Sequence, residues 1–392
     1  MRYDFTIGAV PAHMHAVEAD GLGIGPGHPP RIMGVLNVSE ESPYDPSVFT
    51  EPSEAAEYVD NELIDPGGDV VDIGLASANK RFDVLSANEE LERLHVALDT
   101  IASVSGSAVF SIETRYAEVA RSALDGGFDM VNDISGFADP QMPDLAVDYD
   151  VPVVKMAGPG DLERPGALTT VDDIYEALAS DPLPDQTIID PAFGGWHPDK
   201  DESVDRETFR RLREFQSINR PMLVSINRKN FLRNLAGRST EEALPVSLAA
   251  TSMAVERGAD IIRTHDVAAT HDAALIGHAF ADTSFRGADL EIEQLDISTS
   301  EDLRSHLHRI GASEGPTIET DGRSFELRNL DHVDVTLLEG ATSKVGGTFI
   351  AGSNGRHLLL GTTRELRDLA SRLDDRSAHL PASLERILDA IS

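Results

Sequence analysis

Between residues 31 and 266 the chain repeats one pattern, a short and nearly continuous apolar run followed by a stretch with helical spacing. The runs are RIMGVLNV (31–38), DVVDIG (69–74), AVFSIET (108–114), DMVNDIS (129–135), PVVKM (152–156), TIID (187–190), PMLVSI (221–226) and DIIRTHD (260–266). Helical spacing fills the gaps, most clearly over 89–101, 116–124, 207–215 and 242–256. Strands that are apolar on both faces and alternate with helices belong to parallel sheets covered by those helices. Eight such units over about 250 residues predict a closed (β/α)8 barrel, with an open doubly wound sheet as the alternative architecture.

Beyond residue 283 the rhythm changes. The runs LEIEQLDI, SFELRNL, VDVTLLEG, GGTFIAG and RHLLLG read as short strands, with helical patterns at 300–310, 364–373 and 382–391. Residues 284–392 are therefore expected to form a small α+β domain after a barrel over 31–283. That domain holds no dense polar constellation and is assigned no chemistry. Residues 1–30 read as an irregular lead-in. Its GLGIGPG (21–27) is no dinucleotide fingerprint, because no strand precedes it and Pro29 and Pro30 follow where a helix is required. His13 and His15 have the spacing of a strand-borne metal pair, but no further ligands complete it.

Composition removes several classes of function. With no cysteine there is no disulfide scaffold, thiolate metal site or Cys nucleophile. A formal net charge of −35 repels phosphate backbones and anionic membranes, so neither nucleic acid nor membrane is expected as a partner. No apolar stretch approaches the ~20 residues of a membrane span, and the first residues lack a signal-peptide pattern. A soluble, cytoplasmic chain is expected. The acid is spread evenly rather than in tracts, and lysine fills only five of the 33 basic positions: Lys80, Lys155, Lys200, Lys229 and Lys344. That surface matches adaptation to a salt-rich cytosol.

In a parallel barrel the loops after the strands share one mouth, and chemistry gathers there. The strand ends carry Asn37, Asp72 with the SANK loop, Glu113, Asn132 with Asp133, Lys155, Asp190, Arg228 with Lys229, and Arg263 with His265. Carboxylates, amides and cations converging in one cleft suit a polar heterocycle joined to an anion. The mouth is the expected active site.

Several of these segments are similar to dihydropteroate synthases. IMGVLNVSEESPYD resembles that family's opening strand and loop, usually IMGILNVTPDSFSD. VNDISGFADPQMPDLAVDYDVPVVKM resembles its fourth-to-fifth strand region, IIDPAFGG its DPGFGF segment, INRKNFL its SRKSF segment and RTHDVAAT its RVHDV segment. The motifs follow family order over about 31–281. The resemblance implies condensation of 6-hydroxymethyl-7,8-dihydropterin diphosphate with p-aminobenzoate, giving dihydropteroate and diphosphate with Mg2+ as cofactor. It implies that Asp190 accepts the pterin's paired N–H donors, with Asn132, Glu113 and Lys229 as further pterin contacts. Arg263 and His265 would clamp the leaving diphosphate, Asn37 would meet Mg2+ or the diphosphate, and Lys229 would join them in catalysis. The family commonly forms homodimers through outer helices.

The departures fall at the arylamine end. Where the family's second loop reads GESTRPG, this chain reads GLASANKR, so its Glu, Thr and Arg become Ala76, Ala78 and Asn79. Lys80 is then the expected substitute cation for the arylamine, with Arg81 as rival. Asn227 stands where a Ser helps hold the aminobenzoate, and Glu113 where the family has Asp. The alternatives are a synthase using a methanopterin-type arylamine, a corrinoid-partnered methyl transferase, or a pterin-binding paralogue without catalysis.

Overall fold

Ahead of the first apolar run the chain doubles back, and β1 (Val17–Ala19) pairs antiparallel with β2 (Leu22–Ile24). Part of the expected irregular lead-in is thus a hairpin. The computed structural model describes residues 15–39, 47–76, 84–162, 168–194 and 200–281, then 291–295, 297, 300–312, 322–373, 380 and 384. Each of the eight runs supplies one strand of a single parallel sheet. These are β3 (Arg31–Asn37), β4 (Val70–Gly74), β5 (Val109–Thr114), β6 (Met130–Asp133), β7 (Val153–Met156), β8 (Thr187–Asp190), β9 (Leu223–Val224) and β10 (Ile261–Thr264). Their order is β8-β7-β6-β5-β4-β3-β10-β9, and a parallel bridge between Ile189 and Met222 closes the ring. The closed (β/α)8 barrel is the architecture.

The helices that cover it are α1 (Pro52–Tyr58), α2 (Ala87–Ser103), α3 (Ala117–Asp125), α4 (Met142–Tyr149), α5 (Val171–Ala179), α6 (Glu202–Arg210), α7 (Asn230–Ala236), α8 (Leu244–Glu256) and α9 (Val267–Ala279). Local chemistry starts them where the sequence says it should. At α2, Ser86 and Glu89 form a reciprocal capping box, with Ser86 N donating to Glu89 Oε2 at 2.8 Å; such a cap contributes about 1 kcal/mol. The helical pattern at 207–215 is split: α6 ends at Arg210, and a tighter 3₁₀ stretch follows over Leu212–Ile218. Between them the buried Arg211 ties Glu214 (2.8 Å) to Asp172 on α5 (3.0 Å).

One residue from each strand builds the barrel floor: Met33, Val70, Val109, Met130, Val154, Ile188, Leu223 and Ile261, all buried. Val17, Ala19 and Ile24 of the hairpin pack against this ring and seal it. Burying such a side chain contributes about 1.5–3 kcal/mol, so a slip of one residue in any strand would be costly. A second, larger core lies between the sheet and its helices.

The chain after residue 281 belongs to a separate unit. Its strands β11 (Glu291–Leu295), β12 (Arg323–Arg328), β13 (Thr348–Ala351) and β14 (Arg356–Gly361) form an antiparallel sheet in the order β11-β12-β14-β13. Helix α10 (Ser300–Arg309) packs Leu303 and Leu307 against Leu358 and Leu360; α11 (His332–Thr342) and α12 (Thr363–Leu373) pack with Phe325, Leu327 and Leu359 from the opposite side chains of the same strands. The run VDVTLLEG, expected as a strand from its alternating valines, is helix α11. Asp331 caps it by accepting from Val333 N (2.7 Å) and Asp334 N (2.8 Å), and Leu338 and Thr342 bury one turn apart. The cap and the helical burial outweigh β-branched preference. The helical pattern expected at 382–391 lies outside the described residues, apart from 384. Among the described residues no helix is long and apolar enough to cross a membrane.

Inside the smaller unit, Glu326 is buried and ringed by two arginines and a histidine. Arg328 Nε reaches it at 2.7 Å, Arg356 Nη2 at 2.8 Å and His306 Nε2 at 3.1 Å. Burial alone would raise this carboxyl, but the His306 hydrogen bond and the two arginines hold it well below the usual carboxylate range. A depressed carboxylate stabilises the fold above its unfolded pKa of ~4.3, and that stability is lost as pH falls below it. Glu326→Gln should cost about 3–5 kcal/mol by stranding paired charges. Hydrogen exchange of the β12 and β14 amides checks this; the wild-type unit should loosen on acidification, and the variant should show much less of that dependence.

Candidate active site

Alternation carries the floor's geometry up each strand. Two residues beyond Val70, Met130, Ile188 and Ile261 stand Asp72, Asn132, Asp190 and Arg263. Four residues beyond Met33, Val109 and Ile261 stand Asn37, Glu113 and His265. All share the inward side of their strands. Lys155 does not: it is one residue past Val154 and faces the helices, where Nζ donates to Ser180 O at 2.7 Å and lies over the Phe137 ring. Asp133 is also turned away, accepting from Ser135 N (2.6 Å) and Phe137 N (2.8 Å) to shape the next loop. Both were expected at the mouth, and the two-residue period of a strand removes them from it.

At the centre sits a guanidinium between two acids. Arg263 donates from Nε to Asp72 Oδ2 at 2.8 Å and from Nη2 to Glu113 Oε2 at 2.6 Å. Asn132 Nδ2 donates to the same Asp72 oxygen at 2.9 Å. Asp72 is fully buried, and its Oδ1 has no hydrogen-bond partner among the described residues. Burial alone would lower the Arg263 pKa, but Glu113 and Asp72 push it up, so it stays cationic. Burial raises Glu113, against the pull of Arg263.

Asn37 and Glu113 both approach Gly74. A Cβ at position 74 would stand 3.2 Å from Asn37 Oδ1 and 3.8 Å from Glu113 Oε1, so glycine keeps this space open. Asn37 Nδ2 donates to Ser47 Oγ at 2.9 Å, which leaves Oδ1 as the oxygen turned toward Gly74. That pair of hard oxygen donors fits an Mg2+ that keeps most of its ligands from water and phosphate.

Asp190 ends β8, and its carboxylate accepts from Ala192 N at 2.7 Å. Burial raises its carboxyl, opposed by that N–H and by the charges of Lys229, Arg263 and Lys200. The turn after it is braced by Lys200, which pairs with Asp205 at 2.7 Å and donates to Ala192 O; Asp205 also takes Gly194 N. Strand-end spacing gives Lys200 no place at the mouth; its presence in so lysine-poor a chain is the signal that marks it.

Lys229 precedes α7, half-buried, with its pKa pushed down to about 8 by burial and partly restored by Asp190. His265 is lowered to about 3 by burial and by Arg263, so its imidazole is neutral at pH 7. Of the expected clamp pair, Arg263 is thus the cation and His265 a neutral ring. Asn227 turns to Asp266, donating from Nδ2 to Oδ2 at 2.9 Å, while Arg228 clasps the same carboxylate with Nε (2.9 Å) and Nη2 (2.8 Å). Those bonds outweigh burial and keep Asp266 below the ordinary range. Lys80 and Arg81 lie outside the described residues. The structure thus joins Asn132 to Arg263 through Asp72, which the sequence had marked only as a strand-end acid, and ties Glu113 to the other edge of Arg263. It sets Asp190 and Lys229 within electrostatic reach of Arg263 and engages Asn227 elsewhere.

Residues 33–265 match the model of the family described as pterin binding enzyme. A probable bifunctional folylpolyglutamate synthase/dihydropteroate synthase of Haloferax volcanii is 30% identical over 274 residues, 67% of this chain and 32% of that protein. The chain thus spans about a third of the length of that relative, and likewise of one from Halobacterium salinarum. A dihydropteroate synthase of Streptococcus pyogenes serotype M3 is 30% identical over 249 residues, 62% of this chain and 92% of that protein. Among solved structures, Xanthomonas albilineans dihydropteroate synthase with 4-aminobenzoic acid superposes with a TM-score of 0.57 at 29% identity, covering 68% of this chain and 98% of that one. The same enzyme in complex with 7,8-dihydropteroate gives a TM-score of 0.54 at 28% identity, again over 68% and 98%.

Proposed function

This chain belongs to the pterin binding enzyme family and to its dihydropteroate synthases, and from there we propose that it joins 6-hydroxymethyl-7,8-dihydropterin diphosphate to p-aminobenzoate. The products are dihydropteroate and diphosphate. The observation that carries the reading is the polar constellation inside the barrel, where Asp72, Glu113, Asn132 and Arg263 from four strands are hydrogen-bonded beside Asp190 and Lys229.

In this reading Asp190 accepts the pterin's exocyclic NH2 and ring N–H, with Ala192 N already holding one of its oxygens in place. Asn132 and Lys229 take the neighbouring polar atoms of the ring, and Glu113 bounds the same side while holding Arg263. The carbon–oxygen bond to the diphosphate breaks with its electron pair on the leaving oxygen. The arylamine nitrogen bonds the methylene carbon and releases a proton. Arg263 meets the developing negative charge with donors not committed to Asp72 and Glu113, and His265 adds a neutral N–H. Asn37 would hold Mg2+ through Oδ1 beside Gly74, and the bound ion would neutralise charge on the leaving diphosphate. Lys80 is the candidate for the arylamine end, and Asn227, whose Nδ2 is committed to Asp266, has only its Oδ1 to offer there.

A homodimer is part of this proposal. Met253 on α8 and Leu275, Ile276 and Phe280 on and after α9 are exposed, at 45%, 43%, 57% and 76%. The two helices are locked together where Ser252 Oγ donates to Ala273 O at 2.7 Å and where a Cβ at Gly277 would meet Ser252 O at 2.5 Å. So large an apolar face on a chain of charge −35 suits a second copy of itself. A cytoplasmic location follows from the same soluble substrates.

Pyrophosphate release on mixing the pterin diphosphate, Mg2+ and p-aminobenzoate tests the activity, and release only with another arylamine would redirect it. Asp190→Asn should weaken pterin binding by about 2–4 kcal/mol, because one ring donor then faces an amide donor; unchanged calorimetric affinity would remove Asp190 from the site. Binding of a pterin without diphosphate should weaken as pH rises through about 8, where Lys229 loses its proton, and Lys229→Met should abolish that limb. Ile276→Asp with Phe280→Asp should give a folded monomer in sedimentation equilibrium.

A further inference from the structure

The inference concerns Asp72 and rests on the pterin reading of the barrel mouth. Its carboxylate is fully buried, and through the single oxygen Oδ2 it receives Asn132 Nδ2 at 2.9 Å and Arg263 Nε at 2.8 Å. We propose that Asp72 is a positioning residue that fixes the donor–acceptor sense of Asn132 and the aim of Arg263, and so couples the heterocycle end of the site to its diphosphate end.

A carboxylate paired with a guanidinium is acceptor-only, so an amide beside it bonds through its NH2 and not through its carbonyl. Asn132 is thereby held with Nδ2 toward Asp72, and its Oδ1 is left as the acceptor for a ligand N–H. The same oxygen, with Glu113 Oε2 at 2.6 Å from Nη2, pins two edges of the Arg263 guanidinium and leaves Nη1 for an anion. An anion at Arg263 draws on the charge that Asp72 now shares. Because both donors share Oδ2, a weaker hold by Arg263 makes that oxygen a stronger acceptor for Asn132, and the amide is polarised further. A heterocycle held by Asn132 acts back through the same oxygen with equal free energy. Asp72 Oδ1, buried without a partner among the described residues, leaves the carboxylate anchored by these two donors alone.

The test is calorimetry on the full chain with 6-hydroxymethylpterin and inorganic pyrophosphate, each titrated with and without the other. Wild type is expected to bind each ligand ~5-fold or more tightly when the other is present. Asp72→Asn, which matches the shape but lets the Asn132 amide turn over, is expected to bring that factor close to one. Wild-type ligands that bind independently overturn the proposal, as does a folded Asp72→Asn protein that keeps the wild-type factor. Should Asp72→Asn not fold, Asn132→Leu removes the amide and spares the Asp72–Arg263 pair, and coupling that persists there also overturns it. Wild type that binds no pterin at all overturns the underlying reading instead.

Discussion

A guanidinium held inside a barrel, largely out of water, must be answered by carboxylates, and the neighbourhood of Arg263 is organised by that requirement. Asp72 from β4 and Glu113 from β5 reach it across the barrel from β10, and Asn132 from β6 is drawn in by the same Asp72 oxygen. Removing any one partner would leave the others charged and poorly solvated, which costs far more than a surface pair does. Burial, with Asp72 adding to it, raises Glu113, while the two carboxylates keep Arg263 charged. The remaining donors of the arginine and the open side of Asp190 are what a polar ligand would meet.

The rest of the site is kept in place by groups that never need to touch a ligand. Asp266 clasps Arg228 and Asn227, fixing the loop that leads to Lys229, and Arg228 accepts a backbone φ of +51° there. Lys200 braces the turn after β8, where Ala192 stands at φ +61° and donates its N–H to Asp190. Backbone in that region is unfavourable for residues with a Cβ and persists when surrounding bonds hold it. Three of the five lysines, Lys155, Lys200 and Lys229, are occupied in this way or lowered by burial. In a chain whose basic residues are mostly arginine, these positions suit a compact ammonium rather than a planar fork.

The smaller unit solves a similar problem separately. Glu326 is buried in its sheet and is satisfied by two arginines and a histidine, so it stays ionised where burial alone would protonate it. Such a knot adds geometric definition to a domain whose apolar cores on the two faces of the sheet are modest in size.

The barrel was legible in the sequence because its eight runs are apolar on both faces, a pattern that few arrangements other than a covered parallel sheet can bury. The strand-end residues were legible for the same reason, since polar groups at the ends of such runs have one common mouth to face. The sequence misled where local pattern had to arbitrate alone. VDVTLLEG alternates like a strand, yet the Asp331 cap and one-turn burial make it helix α11. Lys155 sits at a strand end, yet one residue of register turns it outward. Asp72 looked like any acid after a strand, and its part at the centre depends on β4, β6 and β10 curving around a common axis. Sequence spacing sets which side of a strand a residue takes. Only ring closure, which brings residues 191 positions apart into hydrogen-bond contact, decided which charges would meet.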